Sequence, residues 1–158
     1  MTTAAAIAPR RVEVVAGLDE AQVRAAYALH SAWAAEQGDV MDDAGWAEQM
    51  KAAVGSGRMN LWVAWDGDEA VGVAEMHLVY DPLTSTTAAY GERAFVQPEY
   101  RRSGVFEAIT ESMIAFADGL GIKTQRMSAG SDIRGRGMEK FYARYGFRPI
   151  STLMGKNG

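Results

Sequence analysis

Apolar positions change their spacing repeatedly along this chain, and each change marks an element. Arg11 to Ala16 sets Val12 and Val14 against Glu13 and Val15, a period of two that predicts a strand. Val23, Ala26, Tyr27, His30 and Trp33 then recur at helical spacing, with Asp19 or Glu20 as the start and Gly38-Asp39 as the break. A second helix carries Trp46, Met50 and Val54 on one face, is capped by Asp42 or Asp43, and ends at Gly55-Ser56-Gly57. Leu61 to Trp65 and Ala70 to Tyr80 read as paired strands around an Asp66-Gly67-Asp68 turn. A Thr- and Ser-rich loop from Asp81-Pro82 to Thr87 leads to a strand over Ala88 to Val96, closed by Pro98, which cannot donate to a ladder.

The clearest helix is Ser103 to Gly119, where Val105, Ile109, Met113, Phe116 and Leu120 share a face and Glu107, Glu111 and Asp118 lie away from it. Lys123 to Ser128 predicts a strand, Ala129 to Gly137 a loop, Met138 to Tyr145 a short helix stopped by Gly146, and Phe147 to Met154 a last strand. The order β-α-α-β-β-β-α-β-α-β predicts a mixed α/β fold, with antiparallel hairpins first and a βαβ crossover later.

Composition narrows the chemistry. The chain has 158 residues, 48% of them hydrophobic and 23% charged, ordinary for one globular domain. We expect that domain to span residues 11–158 behind a frayed Ala-rich tail over 1–10. The absence of cysteine removes disulfides, thiolate metal sites and a cysteine nucleophile. Two histidines, His30 and His77, make a histidine-rich metal site a poor expectation, so none is assigned. A formal charge of -4 argues against general nucleic-acid binding and fits a cationic substrate. No apolar run reaches membrane-spanning length, and the first residues lack the charge-then-apolar order of a secretory signal. A cytoplasmic location is the expectation.

The strand ending at Val96 runs through Gln97-Pro98-Glu99-Tyr100-Arg101-Arg102-Ser103-Gly104 into a helix. Free amides and the positive dipole end gather at such a helix start, and a glycine lets an anion approach the backbone. Taken alone, this is either a phosphate cradle or a surface turn with two solvated arginines. The chain has neither a P-loop run nor a dinucleotide-fold glycine fingerprint.

Glu92 to Val105 resembles the central motif of the GCN5-related N-acetyltransferases (the GNAT superfamily), a strand followed by Arg/Gln-x-x-Gly-x-Gly/Ala opening a helix. Phe141-Tyr142-x-x-x-Gly146-Phe147 resembles the family's second motif, at the expected separation. The resemblance implies a GNAT-like, mostly antiparallel central sheet with flanking helices and direct transfer of acetyl from acetyl-CoA to a primary amine. It implies cofactor contacts from Phe95, Val96, Arg101, Arg102, Ser103, Gly104, Val105 and Phe106. Tyr142 is implied as the acid facing the CoA sulfur, and Glu92 as the base, acting directly or through water. Glu75 is a weaker rival base, expected on a face shared with Val71, Val73 and His77.

Phe106 stands where the family often has Gly or Ala, and could crowd the pyrophosphate or turn into the core. Gly135 stands where many members have Asn. These departures keep an alternative open, a degenerate CoA-binding or protein-interaction module without turnover. The acceptor is expected over the first two helices and their acidic connection, Trp33 to Asp43, beside Trp46. Antibiotic, polyamine, amino acid and protein amines all remain open there. A homodimer is an expectation of the resemblance alone.

Overall fold

The structure is a computed structural model and describes residues 12–128 and 133–150, with side chains from 137 onward in the second segment. The elements are β1 (Glu13–Ala16), α1 (Glu20–Glu36), α2 (Trp46–Gly55), β2 (Met59–Asp66), β3 (Glu69–Asp81), β4 (Thr86–Val96), a single 3-10 turn (Pro98–Tyr100), α3 (Val105–Gly119), β5 (Thr124–Met127) and α4 (Ile133–Ala143). The strands form one sheet in the order β1-β2-β3-β4-β5. The first three pairings are antiparallel, and β4 pairs with β5 in parallel across the α3 crossover. This is the mixed, mostly antiparallel architecture expected from the element order.

Apolar clusters cover both faces of the sheet. On one face Trp62, Ala64, Ala74, Met76, Ala89 and Val96 pack against Val105, Ile109, Met113 and Ala117 of α3. On the other, Leu61, Val63, Val73 and Phe95 pack against Ala26 and Leu29 of α1. Gly72 permits the close seating of α3: a Cβ there would stand 2.9 Å from Ile109 Cδ1 and 3.2 Å from Val105 Cγ1.

Two bulges interrupt the alternation. Ala64 pairs with Gly72 and Trp65 with Ala70, so Val71 is the extra residue and joins the α3-side cluster. The expected common face of Val71 with Val73 is therefore corrected by this bulge. In β4, Phe95 pairs with Val73 and Glu92 with Glu75, so Arg93 and Ala94 together oppose Ala74. Arg93 takes φ +40 there, in the left-handed region that side chains normally avoid.

Several boundaries differ from the sequence reading. Asp19 caps α1, accepting the Gln22 N–H at 2.8 Å. Asp42 does not cap α2: it accepts the Ala44 N–H at 2.9 Å, and Gly45 at φ +72 is the N-cap. Leu120 is 55% exposed as the C-cap of α3 rather than part of its apolar face. Residues 133–137, expected in a loop, are helical; glycine costs a helix only about 1 kcal/mol and does not forbid it. Gly146 ends the following turn at φ +85, with the Phe147 N–H returning to the Tyr142 carbonyl at 3.2 Å. Phe147–Ile150 has no strand, while the rest of that expected strand and the N-terminal tail lie outside the described residues. No helix among the described residues is long and apolar enough to cross a membrane.

Candidate active site

The parallel pairing of β4 with β5 runs from Ala88 to Gly91 and stops, although β4 continues to Val96. A small cavity sits at this parting. It is lined by Gly91, Glu92, Arg93 and Ala94 of β4, Phe106, Thr110 and Met113 of α3, Met127 and Ser128 after β5, and Tyr142 of α4. Its volume of about 20 Å³ is room for about one water. The structure thus brings Glu92, Phe106 and Tyr142 together with the β4 bulge, although they are far apart in sequence.

Next to this cavity, α3 begins without a side-chain cap. Gly104 is its N-cap at φ +91, and an added Cβ there would meet nothing within 4 Å. The first intrahelical hydrogen bond is donated by Ala108 to the Gly104 carbonyl at 3.0 Å. The amides of Val105, Phe106 and Glu107 therefore precede the helical ladder and carry its positive dipole end. Arg102 adopts φ +62 and is exposed. An open, glycine-capped helix start with the adjacent arginine can hold an anion such as a phosphate.

The other cradle residues divide their groups. The Ser103 side chain is buried and its hydroxyl donates to the Tyr100 carbonyl, leaving its amide for a ligand. The Arg101 guanidinium donates to the Val96 carbonyl at 2.9 Å and to Glu36 at 2.6 Å, and lies over the Phe95 ring at 5.5 Å. It ties the loop to the end of α1. Phe95, Val96 and Val105 have buried side chains. Phe106 packs on Phe141, with ring centroids 4.8 Å apart, and lies 6.2 Å from Tyr142. It packs against the α3-side core cluster and also borders the cavity.

Tyr142 is 7% exposed, and burial pushes its hydroxyl pKa up to about 12. The ring is fixed by Phe141 and Phe147, at 5.4 and 5.9 Å. Tyr145 is placed differently: it packs on Phe141 and donates to Glu111 at 3.1 Å.

On the α1 side of the bulge lies an ionic cluster that sequence patterning did not reveal. Glu75 is 3% exposed. Its Oε1 accepts from Arg93 Nη1 at 2.7 Å and lies 3.3 Å from His77 Nε2, while its Oε2 lies 3.5 Å from His30 Nε2. Burial pulls the Glu75 pKa up, but His30 and Arg93 outweigh it and bring it to about 2. The 3.5 Å His30 contact is too long for a hydrogen bond, and His30 Nε2 has no hydrogen-bond partner. The 2.7 Å Arg93 bond is therefore the anchor. Glu92, opposite Glu75 in register, keeps 40% of its side chain exposed and lies 3.9 Å from Arg93. Glu75, His77 and Glu92 each offer an atom within 4.8 Å of the others, but the Arg93 guanidinium already holds Glu75 against an added cation. Trp46 closes this side, packing on Tyr27 and His30 at 5.4 and 5.8 Å.

A mostly antiparallel sheet parted at β4, a helix start without a side-chain cap and a buried tyrosine meet around one small cavity. The sequence model of the acetyltransferase (GNAT) domain matches residues 19–158, and the chain belongs to that family. Among solved structures it is similar to a Trypanosoma brucei acetyltransferase, with TM-score 0.76 and 15% identity over 93% of this chain and 99% of that one. It is also similar to an aminoglycoside antibiotic 6'-N-acetyltransferase from Acinetobacter baumannii, with TM-score 0.72 and 18% identity over 94% and 98% of the two chains. A predicted acetyltransferase from Clostridium acetobutylicum, solved with acetyl-CoA, gives TM-score 0.75 and 14% identity over 93% and 96%. At these identities the likeness concerns the fold. No curated protein matches the chain by sequence.

Proposed function

We propose that the chain is an N-acetyltransferase that moves acetyl from acetyl-CoA directly to a primary amine. The observation that carries this reading is the shared cavity, which sets the β4 bulge and Tyr142 beside the open start of α3. The amides from Arg102 to Phe106 hold the pyrophosphate, with Arg102 adding charge. Arg101 contributes by fixing the loop, since its guanidinium is bound to Val96 and Glu36. The strand segment Phe95-Val96 runs along the pantetheine arm; the Gln97 N–H donates to Val71 of β3, so alternation turns the Val96 N–H to the open edge, toward the thioester oxygen.

The neutral amine attacks the thioester carbonyl carbon, the C–S bond breaks, and sulfur departs as thiolate. Tyr142, protonated throughout the working pH range at a pKa of about 12, donates a hydrogen bond to that sulfur. A free thiol has a pKa near 8.5, so full proton transfer from the phenol is uphill, and hydrogen bonding is its stronger contribution. The ammonium proton leaves through water to Glu92, whose half-exposed carboxylate borders the cleft. Glu75 suits the base role less, because it is buried and its carboxylate is already held by Arg93 at 2.7 Å.

Release of free thiol from acetyl-CoA across a panel of amines tests this reading. Amine-dependent release, slowed about 10- to 100-fold in Tyr142→Phe while acetyl-CoA still binds, is expected. Acetyl-CoA binding without release by any amine would instead favour the binding module.

A further inference from the structure

We propose that Glu75 is a positioning residue: through its ion pair with Arg93 it holds the β4 bulge open at the reaction cleft. This rests on the acetyltransferase reading for its catalytic consequence, but its structural claim stands on separate observations.

Arg93 is a side-chain-bearing residue held at φ +40. Such backbone is strained and persists only where the surroundings fix it. The side chain itself is 52% exposed, so packing does little to fix it. What does is a single short contact, Nη1 to Glu75 Oε1 at 2.7 Å. The other end of that contact is rigid, because Glu75 sits mid-strand in β3, 3% exposed, between His30 of α1 and His77 of its own strand. Placing a carboxylate there is costly, and an apolar residue would serve the core better. Its position is explained by its partner.

The bulge is where two residues, Arg93 and Ala94, stand opposite one. It begins two residues beyond the last pair of β4 with β5, at Gly91, and both of its residues line the cavity that Tyr142 shares. If Arg93 relaxed to ordinary extended backbone, the amides that follow it would rotate out of register with Val73. The cleft would lose its alignment while the α3 cradle, held by Gly72 and the apolar core, stayed in place.

The test is a double-mutant cycle that removes the need for the clamp. Glycine takes φ +40 without side-chain strain, so Arg93→Gly should free the bulge from its dependence on Glu75. With Arg93 present, Glu75→Gln is expected to lower kcat on the order of 100-fold while the KM for acetyl-CoA moves less than about threefold. In the Arg93→Gly background the same substitution should lower kcat less than about threefold, because only displacement, and no proton transfer, is at stake. Amide hydrogen exchange over residues 92–95 gives a readout independent of turnover. Exchange should quicken in Glu75→Gln and return toward the parent rate in Glu75→Gln/Arg93→Gly. An equal loss of kcat in both backgrounds would overturn the proposal, as an independent base would behave that way. Unchanged exchange in Glu75→Gln would also overturn it. If the wild-type chain turns over no amine, the acetyltransferase reading fails and the exchange result alone decides the clamp. If Glu75→Gln does not fold, recovery of folding in the double variant supports the clamp, and its failure opposes it.

Discussion

Replacing Gly104 with alanine separates cofactor binding from backbone strain. Gly104 caps α3 at φ +91, and a Cβ there meets no protein atom within 4 Å. The cost to folding is therefore conformational only, about 1–2 kcal/mol, or roughly 2–8 °C in Tm for a domain of this size. Gly121, at the other end of the same helix, has φ +71 and equally open space, so Gly121→Ala should cost a similar amount. Only Gly104→Ala places a methyl at the helix start where we set the pyrophosphate. Losing one hydrogen bond to a charged group is worth about 1.5–3 kcal/mol, which corresponds to about 10- to 150-fold in Kd. Calorimetric titration of acetyl-CoA into both variants, with Tm measured alongside, checks the difference. Wild-type affinity in Gly104→Ala, or equal weakening in both variants, would refute the cradle.

Other outcomes follow from the same geometry. Tyr142→Phe should lower kcat by about 10- to 100-fold, below the usual range for a full proton donor, with the acetyl-CoA Kd unchanged by titration. Phe106→Ala removes a half-buried ring from Phe141 and Tyr142 and should destabilise the fold by about 2 kcal/mol in urea unfolding. Gly72→Ala should press on Ile109 and Val105 at the first turn of α3 and cost about 1–2 kcal/mol, read in the same way. Glu75 has a depressed pKa when folded, about 2 against 4.5. Its contribution is thus present above the ordinary carboxylate range and lost as pH falls toward 2. Urea unfolding at pH 7 and pH 3 should show a smaller acid-induced loss in Glu75→Gln than in the parent.

Much of the architecture could be read from local patterning. Helix α3 has an uninterrupted apolar stripe, and the paired strands around Gly67 carry their turn residues in sequence. What escaped has long-range causes. Glu75, Arg93 and His30 meet only because β3, β4 and α1 are brought together in space, and a charged residue on a strand gives no sign of its partner. The Arg93 bulge adds one residue to β4 that only the pairing with Val73 and Glu75 reveals. The Arg101 contact with Glu36 spans 65 residues, so the sequence shows the arginine beside the cradle but not where its guanidinium goes. Composition obscures the start of α4, because Gly135 and Gly137 suggest a loop where the helix already runs.

In the proposed reaction one cleft aligns a CoA thioester between the β4 bulge and Tyr142. A crystal structure with bound acetyl-CoA measures this directly. The pyrophosphate is expected within hydrogen-bonding distance of the amides from Arg102 to Phe106, and the thioester sulfur beside the Tyr142 hydroxyl. Acetyl-CoA bound elsewhere on the surface, or a thioester directed away from Tyr142, would contradict it.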